Sequence, residues 1–142
     1  MSINLNPYLN FPDARAREAM ELYHSVMGGE LSIMTFGDMG TEGPLADQVM
    51  HAQLEVPGGL VLTGADAPPE MVQVTFGDSM SVSLSGGPED GDQLRSWFAA
   101  LSEGGEVRQP LEAAPWGDEF GMLVDRFGIS WMVNVAGAAS TS

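Results

Sequence analysis

The chain has 142 residues, 20 acidic against 5 basic, which gives a formal net charge of −15, and 44% of its residues are hydrophobic. A chain of this length and hydrophobic content folds into one domain with a real core, so a disordered acidic tail is excluded. The sequence contains neither lysine nor cysteine, which excludes Schiff-base lysines, phosphate-loop lysines, thiolate nucleophiles and disulfides. The acidic charge disfavours nucleic acid and anionic membranes as partners and favours neutral or cationic small molecules.

The two ends of the sequence carry no targeting or spanning signal. Residues 1–11 have no basic start and no apolar run, and the uncharged stretch 128–142 is too short to cross a bilayer. We therefore expect a cytoplasmic protein with no membrane contact.

The first half of the chain reads as strand, helix and three strands. Residues 3–10 alternate in period two, which predicts a strand, and a helical pattern at Ala19, Leu22, Tyr23 and Val26 follows Pro12. Gly28-Gly29 is expected to end this helix. The remaining predicted strands are 31–36 and a hairpin of 49–56 and 60–63 around the turn 57–59.

The same order recurs in the second half. Pro88 and Gly104-Gly105 follow Pro12 and Gly28-Gly29 at a distance of 76 residues. The strand 80–85, a helical pattern at Leu94, Phe98 and Leu101, the strand 107–111 and the hairpin strands 120–125 and 129–134 complete the second copy. The sequence predicts two βαβββ modules, about 1–66 and 79–136, with a linker 67–78 and a frayed tail 137–142.

Several blocks resemble a known family. They are Asn6-Pro7-Tyr8-Leu9-Asn10-Phe11, Ala19 to Tyr23 with Gly28-Gly29-Glu30, Met50-His51-Ala52, Trp116 to Gly121, and Asp125 to Asn134. Together with the paired modules, they are similar to the PhnB-like branch of the vicinal oxygen chelate superfamily, which includes glyoxalases, bleomycin-resistance proteins and dioxygenases. The resemblance implies an α+β fold in which two modules form a cupped eight-stranded sheet, and it implies a homodimer.

The superfamily commonly holds a divalent metal with His or Glu from the first and last strands of its modules. The matching positions here carry Asn6 and Tyr8, then Ser81 and Ser83, and Met132 at or near the last place. These are poor ligands, so no tightly held metal cofactor is expected.

A ubiquinone methyltransferase name is sometimes attached to this branch. Methyl transfer is not expected here, because no strand leads into a glycine-rich nucleotide turn. Gly86-Gly87 leads instead into the acidic start Pro88-Glu89-Asp90.

The candidate site centres on His51, as a general base or a hydrogen-bond anchor. Alternation places His51, Gln53 and Glu55 on one strand face, opposite Met50, Ala52, Leu54 and Val56, which would pack on a helix. The further candidate ligand contacts are Tyr8, Asn6, Thr63, Ser81, Ser83 and Trp116. His51 and Glu55 would lie about 13 Å apart along the strand and could not share a metal. The alternative interpretation is a structural histidine.

The aromatic and remaining histidine residues leave further alternatives. Trp116 is expected in a loop as a rim or lid, and Trp131 either in the core or, with Trp116, in an aromatic wall for a flat or cationic ligand. His24 is expected on the surface. Two functions remain: binding of a small molecule without a tightly held metal, or a metal-dependent lyase, isomerase or dioxygenase.

Overall fold

A computed structural model describes residues 3, 5–75, 77 and 79–137. The chain divides between Thr75 and Phe76 into two compact units. Each unit contains one four-stranded sheet.

The first unit has the order strand, helix and three strands. Its elements are β1 (Tyr8–Phe11), α1 (Ala16–Met27), β2 (Glu30–Thr35), β3 (Val49–Val56) and β4 (Leu60–Asp66). The sheet order is β1-β4-β3-β2. β1 runs parallel to β4, and the other pairs are antiparallel.

The second unit repeats this order. Its elements are β5 (Val82–Gly86), α2 (Gly91–Ser102), β6 (Glu106–Ala113), β7 (Glu119–Val124) and β8 (Ser130–Val135). The sheet order is β5-β8-β7-β6, again with the first and last strands parallel. The predicted pair of βαβββ modules is therefore confirmed.

Each helix packs on one face of its own sheet. On α1 the buried residues are Ala16, Ala19, Met20, Tyr23 and Met27, and on α2 they are Gly91, Leu94, Trp97, Phe98 and Leu101. The predicted stripe on α1 was partly wrong, because Leu22 and Val26 are only half-buried. The apolar residues of α1 cover more than one face, and contact with the sheet selects the face that carries both methionines.

The Gly-Gly pairs have the same packing role in both units. Gly28 and Gly104 have positive φ angles of 75° and 76°. A Cβ on Gly29 would lie 2.1 Å from the carbonyl oxygen of Glu55, and one on Gly105 would lie 2.2 Å from that of Val124. The second glycine of each pair therefore lets the chain pass directly against the end of a central strand.

Two predicted strands begin later than expected. β1 begins at Tyr8 rather than at residue 3, and Leu5 is exposed. Pro7 precedes β1 and has no N–H to give a neighbouring strand. Met80 is 81% exposed and lies before β5 rather than in it.

The predicted linker and tail are described only in part. Phe76 and Asp78 of the linker, and residues 138–142 of the tail, lie outside the described residues. Gly137 is described, and its N–H donates to Asp118 at 2.9 Å. Within the described part of the chain, none of the helices has the length and apolar character needed to cross a membrane.

Candidate functional site

Five of the predicted site residues of the first unit lie on the sheet face opposite α1. Tyr8 pairs with Thr63, and Thr63 pairs with Gln53, so these three side chains share a face. His51 and Glu55 share it through the alternation along β3. We call this the α1-distal face and define it by these five residues.

Tyr8 and His51 meet on the α1-distal face. The Tyr8 hydroxyl lies 3.3 Å from Nδ1 of His51, and the ring centroids are 5.7 Å apart. β4 lies between their strands, so the two side chains meet diagonally above it. Ala65, which pairs with Asn10 beside Tyr8, contributes only a methyl group there. The candidate contacts Tyr8 and His51 are therefore brought together.

Burial raises the pKa of the Tyr8 hydroxyl above its usual value. The phenol therefore keeps its proton at neutral pH and can donate to Nδ1 of His51 or accept from it. In either arrangement Nδ1 is committed to Tyr8, which leaves Nε2 of His51 as the ring nitrogen that can contact a ligand.

A β-bulge lies immediately beside His51. Met34 pairs with His51 whereas Thr35 pairs with Val49, so Met50 is the extra residue on β3. The prediction that Met50 packs with Ala52 on the helix face was wrong: Val49 is buried there, and Met50 is half-buried. Bulges change the direction of side chains and are frequent next to active sites, and strict alternation cannot anticipate them.

The other polar residues of the α1-distal face also form hydrogen bonds. Nε2 of Gln53 donates to a carboxylate oxygen of Glu55 at 3.1 Å. The hydroxyl of Thr63 donates to the carbonyl oxygen of Pro7, and Thr63 is buried. Thr63 therefore fastens β1 to β4, and Gln53 and Glu55 form the polar side of the face.

The remaining candidate contacts lie elsewhere. Asn6 is exposed before β1, and Ser81 is exposed before β5. Ser83 lies on β5 and pairs with Met132 of β8. Trp116 lies in the loop between β6 and β7, is 61% exposed, and contacts Phe120 edge-on with ring centroids 5.7 Å apart.

Trp131 and His24 have structural surroundings. Trp131 is 1% exposed, which confirms the core interpretation, and its indole N–H donates to Asp125 at 2.9 Å. Asp125 also accepts the backbone N–H groups of Phe127 and Ile129. His24 is exposed on α1, as predicted, and its Nε2 lies 3.0 Å from the carbonyl oxygen of Gly29.

One polar pair in the second unit escaped the sequence analysis. The side-chain amide of Asn134 donates to Asp118 at 3.2 Å. Asn134 pairs with Phe120, so it lies on the face of the second sheet opposite α2. The block Trp116 to Gly121 contains Asp118, but its partner on β8 becomes visible only from the register.

The donor set does not fit the metal that the superfamily implies. Among the described residues, no group of three or more His, Asp or Glu side chains is arranged to hold a metal ion. At the positions where the superfamily places ligands, the first sheet has Tyr8, and the second has Ser83 beside Met132. A phenol, a hydroxyl and a thioether are poor ligands for the usual divalent ions.

Comparison with known proteins agrees with this fold. A family model described as 3-demethylubiquinone-9 3-methyltransferase matches residues 4–134. The crystal structure of protein PA1353 from Pseudomonas aeruginosa is 36% identical, with a TM-score of 0.83, over 96% of this chain and 99% of that one. The PhnB protein from Bacillus cereus is 26% identical, with a TM-score of 0.73, over 94% of this chain and 100% of that one.

A more distant structure supports the fold alone. The glyoxylase/bleomycin resistance protein/dioxygenase domain from Frankia sp. EAN1pec is 13% identical, with a TM-score of 0.66, over 98% of this chain and 95% of that one. The chain therefore belongs to the family described as 3-demethylubiquinone-9 3-methyltransferase, and its fold is that of the glyoxylase/bleomycin resistance protein/dioxygenase structure.

Proposed function

We propose that this protein binds a small molecule on the α1-distal face without a tightly held metal, and that His51 is the central contact. The observation that carries the proposal is the approach of the Tyr8 hydroxyl to Nδ1 of His51 at 3.3 Å. This contact fixes the imidazole and leaves Nε2 for a ligand, as donor in one tautomer and acceptor in the other. The bulge at Met50 supports the same assignment.

The chemistry of the ligand follows from the charge. The chain has no lysine and a net charge of −15, and Glu55 is the charged group of the α1-distal face. Such a face repels anions and attracts neutral or cationic molecules. Asn6 remains a candidate contact in the first unit, and Ser81, Ser83 and Trp116 remain candidate ligand contacts in the second. His51 acts as a general base if the bound molecule reacts.

Methyl transfer has little support from this chain's residues. The connection from β5 to α2 starts with Gly87, whose N–H lies 3.3 Å from an acceptor carboxylate oxygen of Asp90. An acidic side chain thus occupies the helix start where a nucleotide-type cofactor would place its negative groups. The residues of this chain therefore do not support methyl transfer, which the family description names, as its activity.

The first experiment separates metal-free binding from the metalloenzyme alternative. Protein purified without a His-tag is analysed for zinc, nickel and iron, alongside His51→Ala. We expect well under one equivalent of each metal in both proteins. One equivalent that disappears in His51→Ala would replace the proposal with the metal-dependent lyase, isomerase or dioxygenase.

The second experiment locates binding. A panel of neutral and cationic aromatic compounds is titrated into isotope-labelled protein, and chemical shifts are followed at Tyr8, His51 and Thr63. We expect micromolar binding that weakens with salt, and a loss of about 1–3 kcal/mol in His51→Ala, as for a buried hydrogen bond that loses its partner. His24→Ala is the matched control, since His24 is the second of the two histidines and is exposed on α1. Equal losses in both variants, or shifts confined to other residues, would contradict the proposal.

We also propose a homodimer, as the family resemblance implies. A chain of 15.1 kDa should then sediment at about twice its mass. A monomer at tens of micromolar would contradict this.

A further inference from the structure

A cluster of aromatic and acceptor groups lies around the start of β7 in the second unit. Trp116 contacts Phe120, and Phe120 pairs with Glu112 of β6 on one side and with Asn134 of β8 on the other. Asp118 lies between Trp116 and Phe120 in sequence and accepts the side-chain amide of Asn134. These five residues form what we call the Trp116 cluster.

The hydrogen bond between Asp118 and Asn134 determines which atom of the Asn134 side-chain amide can contact a ligand. A carboxylate accepts hydrogen bonds and does not donate them, so the NH₂ end of the Asn134 amide turns toward Asp118. The other oxygen of Asp118 accepts the N–H of Gly137 at 2.9 Å, which fixes the carboxylate itself. The carbonyl oxygen of Asn134 therefore points away from Asp118 and is presented as a hydrogen-bond acceptor.

The cluster offers acceptors and aromatic faces but no positive charge. Each arginine of the second unit is bound elsewhere: Arg95 to Asp92 and Glu119, Arg108 to Glu106, and Arg126 to the carbonyl oxygen of Glu103. Glu112, which pairs with Phe120, and Asp118, two residues after Trp116, contribute negative charge to the cluster. Tryptophan faces attract cations, most strongly when acidic groups are close by.

We infer that the Trp116 cluster binds a planar aromatic cation of the amidinium or aminopyridinium type. Trp116 stacks on the ring, the carbonyl oxygen of Asn134 accepts a ligand N–H, and Asp118 is the positioning residue that holds the Asn134 amide. The inference goes beyond the proposed function, because it gives Trp116 a binding site of its own in the second unit, together with Glu112, Asp118 and Asn134.

The probe for the test is benzamidine, a flat cation with N–H donors, and benzoate is its anionic counterpart of the same shape. Each is titrated into labelled protein, and the signals of the Trp116 indole and the Asn134 side-chain amide are followed. Trp97 and Trp131 are buried and serve as internal references. The shifts of the Trp116 and Asn134 signals give the affinity of each compound. We expect benzamidine to bind at least tenfold more tightly than benzoate.

Variants separate the roles within the cluster. Trp116→Ala and Asn134→Ala should each lower the affinity for benzamidine about tenfold. Trp116→Phe keeps an aromatic face and should lower it less. Asp118→Ala should lower the affinity for benzamidine more than Glu112→Gln does. In the absence of any compound, Asp118→Ala should also change the chemical shift of the Asn134 side-chain amide. Each variant is compared with the wild type in thermal unfolding, and Asn134→Leu provides a second removal of the acceptor if Asn134→Ala unfolds.

Equal affinity for benzamidine and benzoate, or unchanged benzamidine affinity in Trp116→Ala, would overturn the inference. An Asn134 signal that stays in place in Asp118→Ala would overturn the positioning role. The outcome is distinguishable from failure of the proposed function. If benzamidine shifts Trp116 and Asn134 while no compound of the aromatic panel perturbs Tyr8 or His51, the proposed site at His51 fails and this inference stands.

Discussion

The two sheets share a topology and differ in the chemistry of the face that their helices leave uncovered. The pair Tyr8 and Thr63 in the first unit corresponds by register to Ser83 and Met132 in the second. On the central hairpins, Ala52 opposite Gly64 corresponds to Gly121 opposite Val133. His51 therefore corresponds to Phe120.

This difference shows which features of the repeat the fold requires. A Cβ on Gly29 would lie 2.1 Å from a carbonyl oxygen, and one on Gly105 would lie 2.2 Å from the equivalent oxygen. Backbone packing is therefore the same in both copies at this point. The faces away from the helices have a histidine and a phenol in one copy and a phenylalanine and a methionine in the other. The two copies therefore share backbone packing and differ in the side chains of those faces.

The largest effect is expected where the copies agree. Gly29→Ala and Gly105→Ala should each destabilise the protein by about 3 kcal/mol, because a methyl group must displace a backbone carbonyl. Gly29 also has a positive φ, so its variant should be the worse of the two. Urea unfolding measures both.

Gly28→Ala is the matched control for this comparison. Gly28 has a φ of 75°, but nothing lies within 4 Å of its would-be Cβ. Its ψ is −157°, so the substitution should cost only the backbone strain of a non-glycine residue in this nearly glycine-only region, about 2 kcal/mol. Equal losses in Gly28→Ala and Gly105→Ala would show that close packing is not the shared requirement.

The next largest effect is expected at the buried aspartates, which accept different sets of N–H groups in the two units. Each unit has a buried aspartate: Asp66 accepts the N–H groups of Ala16 and Val49, and Asp125 accepts two backbone N–H groups and the indole of Trp131. Asp125→Ala removes the acceptor of three hydrogen bonds and should cost about 3 kcal/mol, and Asp66→Ala removes the acceptor of two and should cost about 2 kcal/mol. Calorimetric unfolding gives both values.

Trp131→Phe sharpens this comparison. It removes the indole donor and part of the buried ring but leaves the aspartate bound to two backbone groups, so we expect it to cost less than Asp125→Ala. A loss as large as that of Asp125→Ala would mean that the packing of Trp131, and not the aspartate, stabilises the β7–β8 hairpin.

Local sequence signals predicted much of the fold. The hairpin of β3 and β4 follows from two alternating runs around Pro57-Gly58-Gly59, and the helix positions follow from the periodicity after Pro12 and Pro88. Alternation also placed His51, Gln53 and Glu55 on one face. These features depend on residues close together in sequence, where pattern determines conformation.

Features that depend on pairing between distant strands were not predictable in this way. The contact of Tyr8 with His51 requires β4 to lie between β1 and β3, and the sheet order sets that arrangement. The bulge at Met50 depends on the register against β2. Asp66 binds the first helical N–H from 50 residues away, so no local capping pattern indicates it.

A smaller effect is expected from the phenol that distinguishes the first copy. Burial raises the pKa of Tyr8 above its usual value of 10.0, so the folded protein retains this proton at a pH where the unfolded chain has released it. Stability should therefore fall as the pH rises from about 10 through the folded pKa. Tyr8→Phe should show a shallower fall in urea unfolding between pH 9 and 11. Identical slopes for the two proteins would mean that Tyr8 titrates as in the unfolded chain.

The smallest effect is expected from an ion pair in the second copy. Arg95 on α2 binds Glu119 on β7 through two hydrogen bonds of 3.0 and 2.6 Å. The Arg95 hydrogen bond lowers the pKa of Glu119, so the stabilisation is present above the unfolded pKa and is lost as the pH falls through the folded one. The pair is partly exposed, and its effect should shrink with salt. Between pH 5.5 and 3, wild-type protein should therefore lose more stability than Glu119→Gln. If Glu119→Gln and wild-type protein lose the same stability over this range, the ion pair does not hold α2 to its sheet.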